Sequence, residues 1–237
     1  MKATILITVY NYGAYLERAL RSALSQSLGK SAYEVVVVDD GSTDNTPEVL
    51  QKFKDDIVAV RQSNMGLAAA CNTGIKAARG EYLVRLDADD ELEYEAVKTL
   101  ATALDNHPEC ALAFADRTEI DVPSHTERVK RLEGLNIYEL IAGNIIFRRQ
   151  CLLDIGLYNR LYWEEHDLMI RLLGKYEAYH VPQPLYRYYL HGQNMTSSAE
   201  RRQQGWRELI AKWGLDELRK WGHCEELEEA AREASQT

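Results

Sequence analysis

Four short apolar runs rich in β-branched residues alternate with segments of helical period in the first third of the chain. Thr4 to Val9 is predicted as a strand, followed by Leu16, Ala19, Leu20, Ala23 and Leu24 at helical spacing. Tyr33 to Val38, nearly all valine, has the composition of a parallel strand covered on both faces. A helix begins near Thr46-Pro47, since proline is tolerated in a first turn. Ile57 to Arg61 is a third strand, Leu67 to Ala78 a helix and Tyr82 to Leu86 a fourth strand, with Gly80 ending the helix before it. This order predicts an α/β fold with a mostly parallel, Rossmann-like, doubly wound sheet flanked by helices. Ligands of such sheets bind beyond the carboxyl ends of the strands. Two acidic clusters, Asp39/Asp40 and Asp87/Asp89/Asp90, fall at those ends.

Later in the chain the pattern loosens. Cys110 to Ala115 and Asn144 to Phe147 read as strands, Asp121 to Glu133 as a polar loop and Asp167 to Leu173 as a helix. Pro182 and Pro184 are expected to bracket a turn before Leu185 to Leu190. From Ala199 onward, charged residues surround Trp206, Leu209, Ile210 and Trp213, the apolar stripe of an amphipathic helix. That stripe is expected to dock on the body or a second subunit; attachment to a membrane surface is the weaker reading because Glu dominates the tail.

With 237 residues the chain can bury one sizeable core. A net charge of -9 argues against a nucleic-acid surface, which needs clustered basic charge. Cys71, Cys110, Cys151 and Cys224 are scattered without a C-x-x-C pair, which fits neither a zinc site nor a disulfide framework. No apolar run is long enough to cross a bilayer. The expectation is a soluble, cytoplasmic protein, with peripheral membrane association left open.

Asp87-Ala88-Asp89 directly follows a predicted strand. Two carboxylates one residue apart suit a hard divalent cation, Mn²⁺ or Mg²⁺, which binds through a few carboxylates together with substrate phosphates. Alone, such a D-x-D is more often a solvated turn. Asp39-Asp40-Gly41-Ser42-Thr43-Asp44 is likewise good turn and cap material, and equally a place where a carboxylate can accept hydrogen bonds from a base or ribose.

Taken together, the segments resemble family 2 glycosyltransferases of the GT-A fold. The matching stretches are T-V-Y-N-Y-G-A-Y-L-E-R-A-L-R-S-A-L-S-Q from Thr8, V-V-V-V-D-D-G-S-T-D-N-T from Val35 and Q-S-N-M-G-L-A-A-A-C-N-T-G-I-K-A-A-R-G-E-Y-L-V-R-L-D-A-D-D from Gln62. I-I-F-R-R from Ile145, D-I-G-L-Y-N from Asp154, E-E-H-D-L-M-I-R-L-L from Glu164 and Y-R-Y-Y-L-H-G-Q-N-M-T from Tyr186 follow in order. The resemblance implies a GT-A domain over residues 1–197, with a nucleotide-sugar-binding half at 1–116 and an acceptor-side half at 117–197. A C-terminal helical extension over 198–237 completes the chain.

The same resemblance implies an inverting transfer from a nucleotide-diphosphate sugar, UDP favoured, to the hydroxyl of a glycan, lipid-linked or protein acceptor. Thr8, Tyr10, Asp39 and Asp40 are implied in the nucleotide pocket, and Asn72 near the donor diphosphate. Asp87, Asp89 and His191 are implied at the metal, Asp87 also at the donor. Glu165 is implied as the general base, with Glu164 before it; Asp167 is its rival, expected to be structural and paired with a basic side chain. Two positions depart from the pattern: Glu165 stands where Asp is commoner, and Cys71 where many relatives carry Arg, a charge that Arg187 is a candidate to replace. The competing readings are a catalytically silent nucleotide-sugar-binding module and a sugar-phosphate nucleotidyltransferase. The latter's Gly-rich N-terminal loop is missing, and no G-x-G-x-x-G points to a dinucleotide-dependent oxidoreductase.

Overall fold

The computed structural model describes residues 1–192 and 198–234. β1 (Ala3–Val9), β2 (Tyr33–Asp39), β3 (Val58–Arg61) and β4 (Tyr82–Asp87) are joined by α1 (Gly13–Leu24), α2 (Thr46–Lys52) and α3 (Leu67–Ala77), as the alternating pattern predicts. β1 lies parallel between β2 and β4, and β3 pairs in parallel with β2. Side chains alternate along a strand, so both faces of these strands need cover. Ile5, Ile7, Val35 and Val37 share one core with Leu16, Leu20, Val49 and Leu50 of α1 and α2. Leu6, Val36 and Val38 share the other with Cys71 and Ile75 of α3.

Beyond β4 come the two-residue β5 (Glu91–Leu92), α4 (Ala96–Asn106), β6 (Cys110–Asp121), β7 (Thr126–Lys130), β8 (Ile145–Arg148), α5 (Arg149–Asp154), α6 (Glu164–Leu173) and β9 (Glu177–Leu190). The sheet order is β3-β2-β1-β4-β8-β6-β9-β5, with β7 paired to β6. β8 is antiparallel to β4 and β6, and β9 is parallel to β6. The carboxyl ends of β1, β2, β4, β6 and β9 therefore face the same side.

Two expectations need correction here. The stretch Asp121 to Glu133 is not a loop: β6 runs on to Asp121 and returns as β7. β7 is an exposed edge strand, so its residues have no reason to alternate apolar with polar. It is held by ion pairs, Arg128 to Glu119 and Lys130 to Glu139. Pro182 and Pro184 do not bracket a turn either; both lie inside β9, where the pairing with β6 jumps from Ala115–Val181 to Asp116–Pro184. A bulge leaves backbone groups out of the ladder, and proline tolerates that.

At the C-terminus α7 (Ala199–Trp213), α8 (Leu215–Arg219) and α9 (Glu225–Ala234) fold onto the α3 face. Trp206 and Leu209 are buried there, and Ile210 and Trp213 pack at the margin. The Trp206 ring stacks on His166 at 5.3 Å between centroids and meets Trp163 at 4.9 Å. The expected docking of the stripe on the body is what the fold shows. Among the described residues no helix is long and apolar enough to cross a membrane.

Candidate active site

β1 and β2 end in register at Val9 and Asp39, and β4 ends with Asp87 opposite Thr8, which puts the two acidic turns on either side of the β1 end. Gly41 adopts φ +82°, and a Cβ there would come within 2.8 Å of the Asn64 nitrogen, so the D-D-G turn requires glycine. Asp39 is buried: one oxygen accepts from the Ser42 N–H at 2.8 Å, and the other lies 3.3 Å from Arg61. Asp40 is buried too. Its Oδ1 accepts from Gln62 Nε2 (2.6 Å) and the Met65 N–H (3.0 Å), and its Oδ2 from the Gly66 N–H (2.9 Å). Asp40 thus anchors the loop that leads into α3. Thr8 is buried beneath this edge, whereas Tyr10 is 46% exposed above it. Asn72 is also engaged within the chain: its amide donates to the Tyr158 carbonyl and accepts from the Tyr158 N–H, both at 2.9 Å.

The second turn is stitched to β9. Asp90 is fully buried and accepts from the Tyr186 hydroxyl (2.6 Å) and the Tyr189 N–H (2.8 Å). Burial, then the charges of Asp89 and Asp87, hold its carboxyl well above the usual range. These bonds bring the end of β9 to the D-x-D. His191 Nε2 lies 2.8 Å from Asp89 Oδ2, and its ring stacks on Tyr15 at 4.6 Å. Arg18 donates to the Asp89 carbonyl and lies over the Tyr189 ring. Burial and then Asp87 push the Asp89 carboxyl up, against the influence of His191.

One carboxylate and one imidazole nitrogen, side by side at the mouth of the strands, fit the donor chemistry of a divalent cation that fills its remaining positions with phosphate oxygens and water. Asp87 does not join them in this structure; its Oδ1 lies 3.1 Å from Arg85 Nη2. Among the described residues, three metal-ligand side chains converge at Glu109, Cys110 and Glu177. That group is at the amino-terminal ends of β6 and β9, on the opposite side of the sheet.

Arg85 is the residue that the motifs did not single out. Its side chain is 5% exposed, yet it carries a full charge in the buried strand β4. Nη2 also lies 2.5 Å from Glu165 Oε1, and Nη1 lies 3.6 Å from Glu164 Oε1 and 3.9 Å from Cys71 Sγ. The signal was available: a lone arginine among apolar strand residues must find buried partners. Arg187, the candidate to replace the arginine missing at position 71, is instead paired with Glu93 and Glu127. Burial raises both glutamates, Glu164 further through the charge of Glu165, and Arg85 opposes the rise. The guanidinium is closer to Glu165 than to Glu164, so it opposes the rise more strongly there.

Asp167, the rival carboxylate, has no exposure. Arg171, Lys212, Asn159 and Trp213 all bond to it, which is the structural role expected. The end of the Tyr186 motif, from Gln193 to Thr196, lies outside the described residues.

The family model described as Glycosyl transferase family 2 matches residues 4–156. The chain belongs to this family. It is 45% identical over 94 residues to an uncharacterized glycosyltransferase of Nostoc, a match covering 38% of this chain and 29% of that protein. The chain thus spans less than a third of that relative's length. Among solved structures, TarS of S. aureus in complex with UDP-GlcNAc superposes with a TM-score of 0.70 at 21% identity, covering 89% of this chain and 67% of that one. The mannosyltransferase PcManGT from Pyrobaculum calidifontis, in complex with GDP-Man and Mn²⁺, gives 0.68 at 19% identity, covering 99% and 80%. The architecture of this family 2 member is the GT-A fold that its motifs imply.

Proposed function

We propose that the protein transfers a sugar from a nucleoside-diphosphate sugar, UDP favoured, to an acceptor hydroxyl with inversion at the anomeric carbon. The observation that carries this is the meeting of Glu165, from α6, with Asp87, from the end of β4, on one nitrogen of Arg85. A carboxylate from the second half of the chain is thereby held beside the D-x-D of the first. The ligands of the two structural neighbours, UDP-GlcNAc and GDP-Man with Mn²⁺, support a nucleotide-sugar donor there.

In this reading Thr8, Tyr10 and the Asp39–Asp40 turn border the nucleoside, and residues 117–197 face the acceptor. Glu165 takes the acceptor proton as the acceptor oxygen bonds to the anomeric carbon. The bond from that carbon to the diphosphate oxygen breaks, and its electron pair leaves with the diphosphate. Asp89 and His191 would hold a divalent cation, with Asp87 turning from Arg85 to the cation or donor; when bound, the cation neutralises charge on the leaving group.

The test is a panel of UDP- and GDP-sugars with Mn²⁺ or Mg²⁺, followed by release of nucleoside diphosphate in the presence of acceptor sugars. Acceptor-dependent release is expected with a UDP-sugar. Tight donor binding without release for every donor and acceptor would favour the catalytically silent module.

A further inference from the structure

We infer that Arg85 is a positioning residue for this transfer: through one guanidinium nitrogen it fixes Glu165 of α6 against Asp87 of β4. It thereby sets the separation of the acceptor-side and donor-side carboxylates. The inference rests on the transferase reading and adds to it a residue outside the acidic and histidine motifs that carry that reading.

The guanidinium lies among three carboxylates and one thiol. Nη2 is shared by Asp87 Oδ1 at 3.1 Å and Glu165 Oε1 at 2.5 Å, while Nη1 points to Glu164 and Cys71. Nη2 donates a hydrogen bond to Asp87 and holds Glu165 as an ion pair, so one planar guanidinium sets how close the two carboxylates lie. α6 starts at Glu164 with no side-chain cap from Trp163, and the Glu165 carboxylate is held by the Ala142 N–H, on a separate turn, and by the charge of Arg85. Cys71 is fully buried against the guanidinium, and its small side chain leaves Arg85 the room to lie between α3 and α6. The same nitrogen ties the two sites together: as Asp87 turns toward a donor or cation, more of Arg85 is left to Glu165.

Arg85 also balances the charge of three neighbouring carboxylates, so its loss can destabilise the fold for a reason unconnected with positioning. Three variants separate the two roles. Arg85→Lys keeps the charge but not the fork, Arg85→Gln removes both, and Arg85→Gln with Glu164→Gln removes the charge and one of the carboxylates it balanced. Melting temperature, UDP affinity by calorimetry and the kinetic constants are measured for each. Arg85→Lys should remain folded, bind UDP like the parent and lose about 100-fold in kcat, the effect of a reacting group displaced by about 1 Å, with little change in donor KM. The double variant should regain the melting temperature lost by Arg85→Gln without regaining kcat. Turnover within about threefold of the parent in Arg85→Lys or in the double variant overturns the inference and leaves Arg85 as a charge balance alone. A parent protein inert toward every donor and acceptor sinks the transferase reading, and this inference with it.

Discussion

Trp213 donates its indole N–H to Asp167 Oδ1 across 3.0 Å, so the last turn of α7 is bonded to the helix that carries Glu165 two residues away. Lys212 reaches the same oxygen at 2.5 Å, while Arg171 and Asn159 hold the other at 2.9 and 2.8 Å. The C-terminal helices thus belong to the frame of the site as well as to the core.

Asp167→Asn leaves Arg171 and Lys212 facing an uncharged group, and breaking a buried pair of this kind costs on the order of 3 kcal/mol. Lys212 is one-third exposed, so its share is the smaller one. Burial acts to raise the Asp167 carboxyl, but Lys212, Asn159, Arg171 and Trp213 together hold it below its ordinary 3.8. A lowered carboxyl stabilises fully above its unfolded value and ceases to as pH falls through the folded one. Thermal melts should show a lower Tm for Asp167→Asn at pH 7 and a shallower loss of Tm in acid. An unchanged melt at pH 7 contradicts this.

His166, enclosed by Trp163, Trp206 and Tyr138, has a pKa pushed down by burial from 6.5 to about 4. The unfolded chain therefore binds a proton between those values that the folded chain does not. Stability should fall by about 1.4 kcal/mol per pH unit as pH drops across that window, from this residue alone. Denaturant titrations from pH 7 to 4.5 should show a smaller slope for His166→Phe than for the parent; equal slopes would refute the assignment.

Trp206→Ala empties the space between His166, Trp163 and Tyr138 and should cost about 3–5 kcal/mol in chemical denaturation. Removing residues 199–237 should be worse, since it also strips Lys212 and Trp213 from Asp167. A truncated protein that melts at the parent temperature would show that the docked helices contribute nothing to stability.

Asp89→Asn removes the charged partner of His191 at the mouth of the strands. UDP affinity measured with Mn²⁺ should weaken by at least about tenfold, the scale of one lost charge-assisted contact, while affinity without the ion changes little. Equal Mn²⁺-dependent affinity in parent and variant would remove Asp89 from the metal site.

Glu165→Gln keeps size and polarity but cannot accept a proton, so turnover should fall about 10²–10⁴-fold with donor affinity retained. Should Glu165→Gln keep its turnover while a folded Asp167→Asn loses it, the roles of the two carboxylates would have to be exchanged.

The parallel half of the fold was legible because buried parallel strands must be apolar throughout; Val35 to Val38 could hardly be anything else. β7 was not, because Thr126 to Lys130 faces solvent and pairs through charges that carry no period. The prolines at 182 and 184 read as a turn because a bulge and a turn ask for the same residues. Asp89 and His191 were singled out through the motifs, and the structure brings them within a hydrogen bond. Asp40 and Asn72 were singled out as well, but their hydrogen bonds to the 62–66 loop and to Tyr158 are set by distant backbone that no local spacing encodes. Arg85 was overlooked because its partners come from α3, α6 and its own strand, and only the folded chain assembles them.

The irregular pairing of β9 with β6 also bears on how this family member can vary in length. Across the bulge the pairing runs from Ala115–Val181 through Asp116–Pro184 to Arg117–Tyr186, and only then stays regular as far as Leu190. Successive strand residues point to opposite faces, so deleting a single residue from 182 to 185 would invert every side chain after it. Tyr186 would turn away from Asp90, and His191 from Asp89. The hairpin at 122–125 joins two exposed strand ends and can accept insertions with little consequence, whereas residues 182–185 have to keep their number.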